Sequence, residues 1–222
     1  GEEIFTDELG RVKVQFHWDR HGEFNEQSSC WVRVAQAGAS GGFGSIQIPR
    51  VEDEVVVVFL DGNPDRPLII GSLYNSSNTP PWSLPANKTQ SGLLTRSIKG
   101  KGSNANYLRF DDKGGAEQVL LHAERNLDTE VEADEKRVVG GNRSITVGGK
   151  HEETIRLESS IAVEEGSYLV TVDQGAVRIR AATSITLQVG SSTLEMTADG
   201  KVILSGVEVD LAGSSIINLN KN

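Results

Sequence analysis

Residues 138–155 read VVGGNRSITVGGKHEETI. Val139, Val147 and Ile155 stand eight residues apart, and each of the two valines is followed by two glycines. An α-helix repeats about every 3.6 residues and a flat strand every second residue. A period of eight needs an event once per eight residues, such as a bend. The paired glycines suit that event, because glycine accepts positive φ and tight corners.

The register extends far beyond this stretch. Counting in eights gives Val131, Val139, Val147, Ile155, Val163, Thr171, Ile179, Leu187, Glu195, Ile203, Leu211 and Leu219, and ten of these twelve are apolar. Six residues after each, from Val139 on, come Ile145, Glu153, Ile161, Leu169, Val177, Ile185, Thr193, Lys201, Val209 and Ile217, of which seven are apolar. The two series share a parity, so within a short strand they lie on one face. Each unit is a short strand with one buried face plus a bend, and strands joined by regular bends make a solenoid. The expected core is Val139, Val147, Ile155, Ile161, Val163, Leu169, Val177, Ile179, Ile185, Leu187, Val209 and Leu211. The count breaks at Glu195 and Lys201, where Leu194, Met196, Val202 and Leu204 take over the alternation around ADGK. The turn pair Asp199-Gly200 reads as a local one-residue shift.

Composition agrees with an all-β chain. The 222 residues include 24 glycines, with 5% aromatic and 37% hydrophobic content, modest for a compact core but ample for a slender solenoid. Net charge is −9, so binding to a phosphate backbone is disfavoured and no nucleic-acid partner is expected. A single cysteine, Cys30, leaves no intrachain disulfide and fits a reducing compartment. No apolar run approaches the roughly 18 residues of a membrane span. No signal peptide is visible, and the abrupt acidic start GEEIFTDELG points to a fragment or a processed chain.

Residues 1–75 read as a separate β domain. VKVQFHW alternates Val12, Val14, Phe16 and Trp18 against Lys13, Gln15 and His17. SCWVRVAQA, FGSIQIPR, EVVVVFLDG and RPLIIGSLY supply four more strands, the fourth of the five apolar enough to be covered on both faces. Five short strands with glycine-rich links fit a small barrel such as the OB-fold. Residues 76–91 form a linker stiffened by Pro80, Pro81 and Pro85. Residues 92–130 form a neck, in which Tyr107–Phe110 and Gln118–His122 flank the turn DDKGG as a hairpin. Residues 131–222 are the repeat.

Chemistry is sparse. His17 and His21 flank Trp18-Asp19-Arg20 at a strand end and read as exposed histidines. Cys30 has no base beside it in sequence and reads as a plain strand cysteine. GKGS at 100–103 lacks phosphate-loop spacing and reads as a polar loop. The acidic pairs Glu152-Glu153, Glu164-Glu165 and Asp111-Asp112 read as solvated faces and turns. Arg143 and His151 have the buried parity, and either point toward the solenoid axis or sit at a corner facing solvent. No set reads as a catalytic site, and no cofactor or metal is expected.

GRVKVQFHWDR, SSCWVRVAQ, IPRVEDEVVVVFLDGNPDRPLIIGSLYN and LRFDDKGGAEQVLLHAERNLDTEV, followed by the octads, resemble the VgrG family, the spike proteins of the bacterial type VI secretion system. More loosely, the chain is similar to the central spike of contractile phage tails, without room for the lysozyme domain that spike carries. The resemblance covers essentially the whole sequence. It implies an OB-fold barrel followed by an intertwined triple-stranded β-helix, a trimeric β-prism needle. It implies a homotrimer, docking on the tube of Hcp rings through a base domain upstream of residue 1, and a PAAR-type tip protein at the far end. It implies a structural, non-enzymatic role in puncturing a target membrane to deliver effectors. It also implies assembly in the bacterial cytoplasm before secretion or injection. Ile216, Ile217 and Leu219 near the chain end would form a small apolar platform for the tip protein.

Two other functions compete with the spike. One is a polysaccharide-active β-solenoid, which needs convergent carboxylates. Glu152, Glu153, Glu164, Glu165 and Asp173 do not recur on one face. The other is a trimeric adhesin, which needs a variable head, whereas this sequence runs to its end in repeats.

Overall fold

The computed structural model describes residues 2–210. They are all-β apart from one short 3-10 turn, Leu60–Gly62. The chain divides into two units, residues 1–138 and 139–222.

The first unit begins with a small sheet. Strand β1 is Arg33–Val34, β2 is Glu54–Phe59 and β3 is Pro67–Leu73, in the order β1-β3-β2. β1 runs parallel to β3, and β2 runs antiparallel to it. Between Val56 and Val57 the register shifts, so Val56 faces Gly71 and Val57 faces Ile69. Ile69 is fully buried, and Ile70, unpaired at this irregularity, is exposed. Val12, Val14, Val32 and Ile69 form the core, with Phe16, Val34, Ile48, Val55 and Val57 packed on it. Val12, Val14 and Phe16 of VKVQFHW therefore point inward as the alternation requires, but Trp18, expected on the same face, lies in a turn and is 68% exposed.

A closed five-strand barrel is not what pairs here. The first expected strand contributes one bridge, Val12 to Val32, and the third only Ala39 to Gly44. The outer side chains are held by aromatic contact instead. Phe16 stacks on Trp18 at 4.6 Å, and Trp31 lies between Phe5 at 5.3 Å and the Lys13 ammonium at 5.2 Å. EVVVVF is half-buried along its whole length, which matches its nearly unbroken apolar run.

A second sheet follows. Strand β4 is Gln90–Arg96, β5 is Ala105–Asp111 and β6 is Gln118–His122, joined as an antiparallel meander. The expected hairpin is β5–β6, paired from Tyr107–His122 to Asp111–Gln118. Leu93, Leu108 and Leu121 stand directly opposite one another across the three strands.

From residue 124 the chain bends at regular intervals. Bends lie at 124–125, 132–133, 140–141, 148–149, 156–157 and 164–166, each beginning eight residues after the last. The next two begin at 173 and 182, nine residues apart. Six residues separate one bend from the next throughout. The bends after Val139 and Val147 do not use positive φ at their glycines. Positive φ occurs where the step lengthens, at Gly166 (φ 99°) and Gly175 (φ 122°). Each of these glycines closes a three-residue bend and absorbs the added residue.

The repeat ends in a third sheet. Strand β7 is Ser184–Val189, β8 is Ser192–Thr197 and β9 is Val202–Ser205, again an antiparallel meander. Gly190, at φ 56°, opens the two-residue turn from β7 to β8. Asp199 and Gly200 lie in the reversal from β8 to β9, where Asp199 pairs with the Lys201 ammonium at 2.5 Å. The expected one-residue shift at this turn is thus a full reversal of the chain.

Candidate functional site

The surface that stands out is a long set of unsatisfied pairing groups. Every non-proline residue carries a backbone donor and acceptor. Among the described residues, none from 125 to 182 shares a backbone–backbone hydrogen bond with another. The chain nevertheless holds an even series of bends there. Its accessible surface is 20247 Å², about twice the roughly 10,000 Å² expected of a compact monomer of 23.9 kDa.

The last residue before each bend identifies the repeat face. Val131, Val139, Val147, Ile155, Val163 and Val172 fill this place, all 45–48% exposed, and Ala181 fills it before the bend at 182. Two places earlier, on the same face, stand Ile145, Ile161, Val170 and Ile179, at 55–70%. A fixed count of eight put Thr171 in the first series and Leu169 in the second. The nine-residue step moves both off this face and brings Val172 and Val170 onto it. Leu169 is 82% exposed, on the opposite face. Ile179 keeps the apolar parity in the earlier place, and Val177 shares it. Arg143 and His151 share the parity too, at the second residue of their runs, and are exposed.

Ile185 and Leu187 lie in a different setting from the octads. In β7 they face Met196 and Leu194, which in turn face Val202 and Leu204 of β9. The six side chains cover one face of the meander, while Thr186, Glu195 and Ile203 lie on the other. Most of the apolar face is open to solvent. Val209 is exposed beyond β9. Leu211, Ile216, Ile217 and Leu219 lie outside the described residues.

The second sheet has a comparable face. Leu93, Phe110, Val119 and Leu121 are exposed around half-buried Leu108. An apolar groove runs beside them, lined by Leu93, Tyr107, Leu121, His122 and Leu127. At its rim Tyr107 stacks on His122 with ring centres 4.7 Å apart. Glu124 accepts hydrogen bonds from the Asn104 side chain and the Ala105 amide, and His122 lies 3.9 Å away. These contacts, the Asn104 bond first, hold the Glu124 carboxyl below its ordinary pKa. Asp111 is lowered chiefly by the Gln90 side chain, then by Thr89.

The polar candidates stay apart from these faces. Asp19 accepts from the backbone amides of His21 and Gly22 and from Gln15, which lowers its pKa, the His21 bond first. Cys30 is exposed and unpaired with another cysteine. Residues 100–103 form a polar turn in which the Lys101 amide donates to Asn104. Among the described residues, no cluster of three or more histidine, cysteine or acidic side chains could hold a metal ion. No helix among them is long and apolar enough to cross a membrane.

Sequence reasoning missed β4 and the leucine ladder it completes. The only signal was the short run QSGLLTR, whose adjacent Leu93 and Leu94 show no alternation and stand next to a proline-rich segment. It also missed Val170 and Val172. Their signal was Thr171, one of two polar residues in the first series, five residues after the glycine of EEG.

Two family models match the chain. Residues 91–202 match the bacteriophage T4 gp5 C-terminal trimerisation domain. Residues 5–74 match the type VI secretion system/phage-baseplate injector OB domain. Among curated relatives, the type VI secretion system spike protein VgrG1a of Pseudomonas aeruginosa is 46% identical over 99% of this chain and 35% of its own length. VgrG1c of the same organism is 59% identical over 66% of the chain and 20% of its own length. The actin cross-linking toxin VgrG1 of Vibrio cholerae is 44% identical over 82% of the chain and 16% of its own length. The chain thus spans about a third or less of each of these relatives.

Proposed function

This chain belongs to the VgrG family of type VI secretion spike proteins, and from that premise we propose that it is the barrel and needle part of a membrane-puncturing spike. In this reading residues 1–75 are the OB-fold domain, 76–91 a linker, 92–130 a neck and 131–222 the needle. The role is mechanical: a contracting sheath drives the spike through a target membrane and delivers effectors, with no reaction on this chain. The observation that carries it is the run of six-residue segments between evenly spaced bends, without backbone partners in their own chain.

Three interleaved copies would supply those partners. Each run spans roughly 20 Å at about 3.3 Å per residue, one side of a triangle. Each strand of one copy then lies between strands of the other two, so no edge is left unpaired. Val131, Val139, Val147, Ile155, Val163 and Val172 would face a sealed core together with Ile145, Ile161, Val170 and Ile179. Stacked layers with continuous hydrogen bonds resist axial load without a moving part. Folding and trimerisation would be one event, since one chain leaves so much surface uncovered.

The ends would carry the specific contacts. Hcp docking falls to a base domain outside this sequence. A PAAR-type tip protein would sit on the platform of Ile216, Ile217 and Leu219. Assembly would take place in the bacterial cytoplasm, followed by secretion or injection.

The test is target-cell killing by the full-length spike carrying Val163→Asp, with Glu164→Asp as control. Loss of killing in the first and retention in the second is expected. Equal killing by both would overturn the reading, because three carboxylates would then sit harmlessly where a dry core is required.

A further inference from the structure

The octads alone do not fix how three copies line up along the needle. Val131, Val139, Val147, Ile155 and Val163 are chemically alike and equally covered, each closing an eight-residue unit. A copy displaced by one octad would meet the same residue types on the same face. The displacement would be small, about 4.8 Å along the stack. Degenerate repeats of this kind slip unless something non-repeating holds them.

The meander of β7, β8 and β9 is non-repeating. Its three strands pair with one another within one chain, and only the outer edges of β7 and β9 stay open. What it lacks is cover for one face. Ile185, Met196 and Val202 form one row across the three strands, and Leu187, Leu194 and Leu204 the next. The opposite face carries Thr186, Gln188, Thr193 and Glu195, with Ile203 its one large apolar side chain. This face follows the repeat directly in sequence and lies, up to Val202, within the stretch that matches a trimerisation domain.

We propose that this apolar face packs against the same face of two further copies and sets the axial register of the octads. The occupant is a second and third copy of this chain. The inference rests on the trimeric reading above. In register, three meanders meet at one level and six apolar side chains per copy leave water. Displaced by one octad, one meander sits a layer away and a third of a turn round, and its face loses its match. The octads supply the pairing, and the meander selects one alignment among several that the octads tolerate.

Corner cysteines read the alignment. The background is Cys30→Ser, which removes the one native thiol. Gly148→Cys places a thiol on an open bend, since nothing lies within 4 Å of a Cβ there. In register, the three thiols sit at three corners roughly 20 Å apart, beyond the reach of a disulfide, about 7 Å between Cα atoms. After a one-octad slip, two thiols lie on adjacent layers and can join. A chain with both Gly148→Cys and Arg156→Cys is the positive control, because residue 156 of one copy lies over residue 148 of the next in an aligned needle.

The aligned protein is expected to give no interchain disulfide at 148 and a strong one with 148 and 156 together. Adding Leu194→Ser and Leu204→Ser should keep the trimeric mass while raising the 148 disulfide by about tenfold, as an aligned population becomes a mixture. A trimer with this pair and no rise at 148 overturns the proposal. So does a 148 disulfide in the unaltered meander. A monomeric pair variant overturns it too, because the octads would then not assemble without the meander. Failure of the 148–156 control instead sinks the interleaved needle itself.

Discussion

Val163 and Val172 close successive strands of the repeat nine residues apart, yet their exposures are 46% and 45%. The added residue changes the count but not the surroundings, because the bend ending at Gly166 takes it up. This equivalence separates the observed register from a fixed period of eight. Val172→Asp is expected to abolish assembly, because three buried carboxylates would each cost several kcal/mol. Thr171→Asp, one residue before, should leave the trimer intact. Light scattering of the two variants decides it, and equal behaviour would mean that the in-and-out parity is wrong.

The glycines that end the longer bends should be sensitive where the earlier ones are not. Gly166→Ala and Gly175→Ala force a side chain into positive φ, at a cost of about 1–3 kcal/mol per chain. Gly148→Ala should be nearly neutral, since its φ is ordinary and the space around it is open. Thermal melts of the three variants give the comparison. A melting temperature lowered as much by Gly148→Ala as by Gly166→Ala would contradict the division of labour between the bends.

Part of this architecture was legible from residue order alone, for physical reasons. A buried face needs an apolar residue at every return, so Val139, Val147, Ile155 and Val163 advertise the repeat. Gly166 and Gly175 were not legible as insertions, because a fixed count cannot register one residue gained in a turn. The meander was masked by coincidence. Ile185, Leu187 and Ile203 fall on the octad series, although they pair within their own chain. Leu194, Met196, Val202 and Leu204 carried the true alternation of an antiparallel sheet. In the first unit, the alternation of Val12 and Val14 correctly marked the core. It did not reveal that their strand would pair through a single bridge, because local sequence does not specify ladder length.

Acid should weaken the sheet of β4, β5 and β6. Glu124 and Asp111 have folded pKa values depressed below 4.5 and 3.8 by the hydrogen bonds of Asn104 and Gln90. A carboxylate lowered in this way adds stability that is present above its unfolded pKa and lost as pH falls through the folded one. The melting temperature is expected to hold steady from neutral pH to about 5 and to fall below it, through the window set by these two groups. Glu124→Gln should flatten part of that fall. An unchanged acid slope in this variant would remove Glu124 from the account.

Limited proteolysis should separate barrel from needle. Asn75 is tied to β2 through the Glu54 carboxylate, and Asn78 to the turn before it through the Glu52 carbonyl. Residues 79–82 share no backbone hydrogen bond with the other described residues, although Trp82 is half-buried, so chymotrypsin should cut after Trp82 before it cuts within residues 126–205. Early cleavage inside the repeat, with the linker intact, would contradict the proposed division.

Removing residues 214–222 should spare the trimer and abolish capture of a matched tip protein. Each layer of a stacked repeat touches chiefly its neighbours, so the loss of the last one leaves the rest in place. Tip binding that survives the truncation would move the partner site away from Ile216, Ile217 and Leu219.

Amide hydrogen exchange across residues 126–182 tests the central claim most directly. Their own chain provides these amides with no backbone acceptor among the described residues. Interleaved copies would provide one for nearly every amide. The account predicts protection there as strong as in β2 of the barrel, lost together with the trimer on dilution or denaturation. Exchange at the rate of an open chain, in protein whose mass is three times 23.9 kDa, would contradict it.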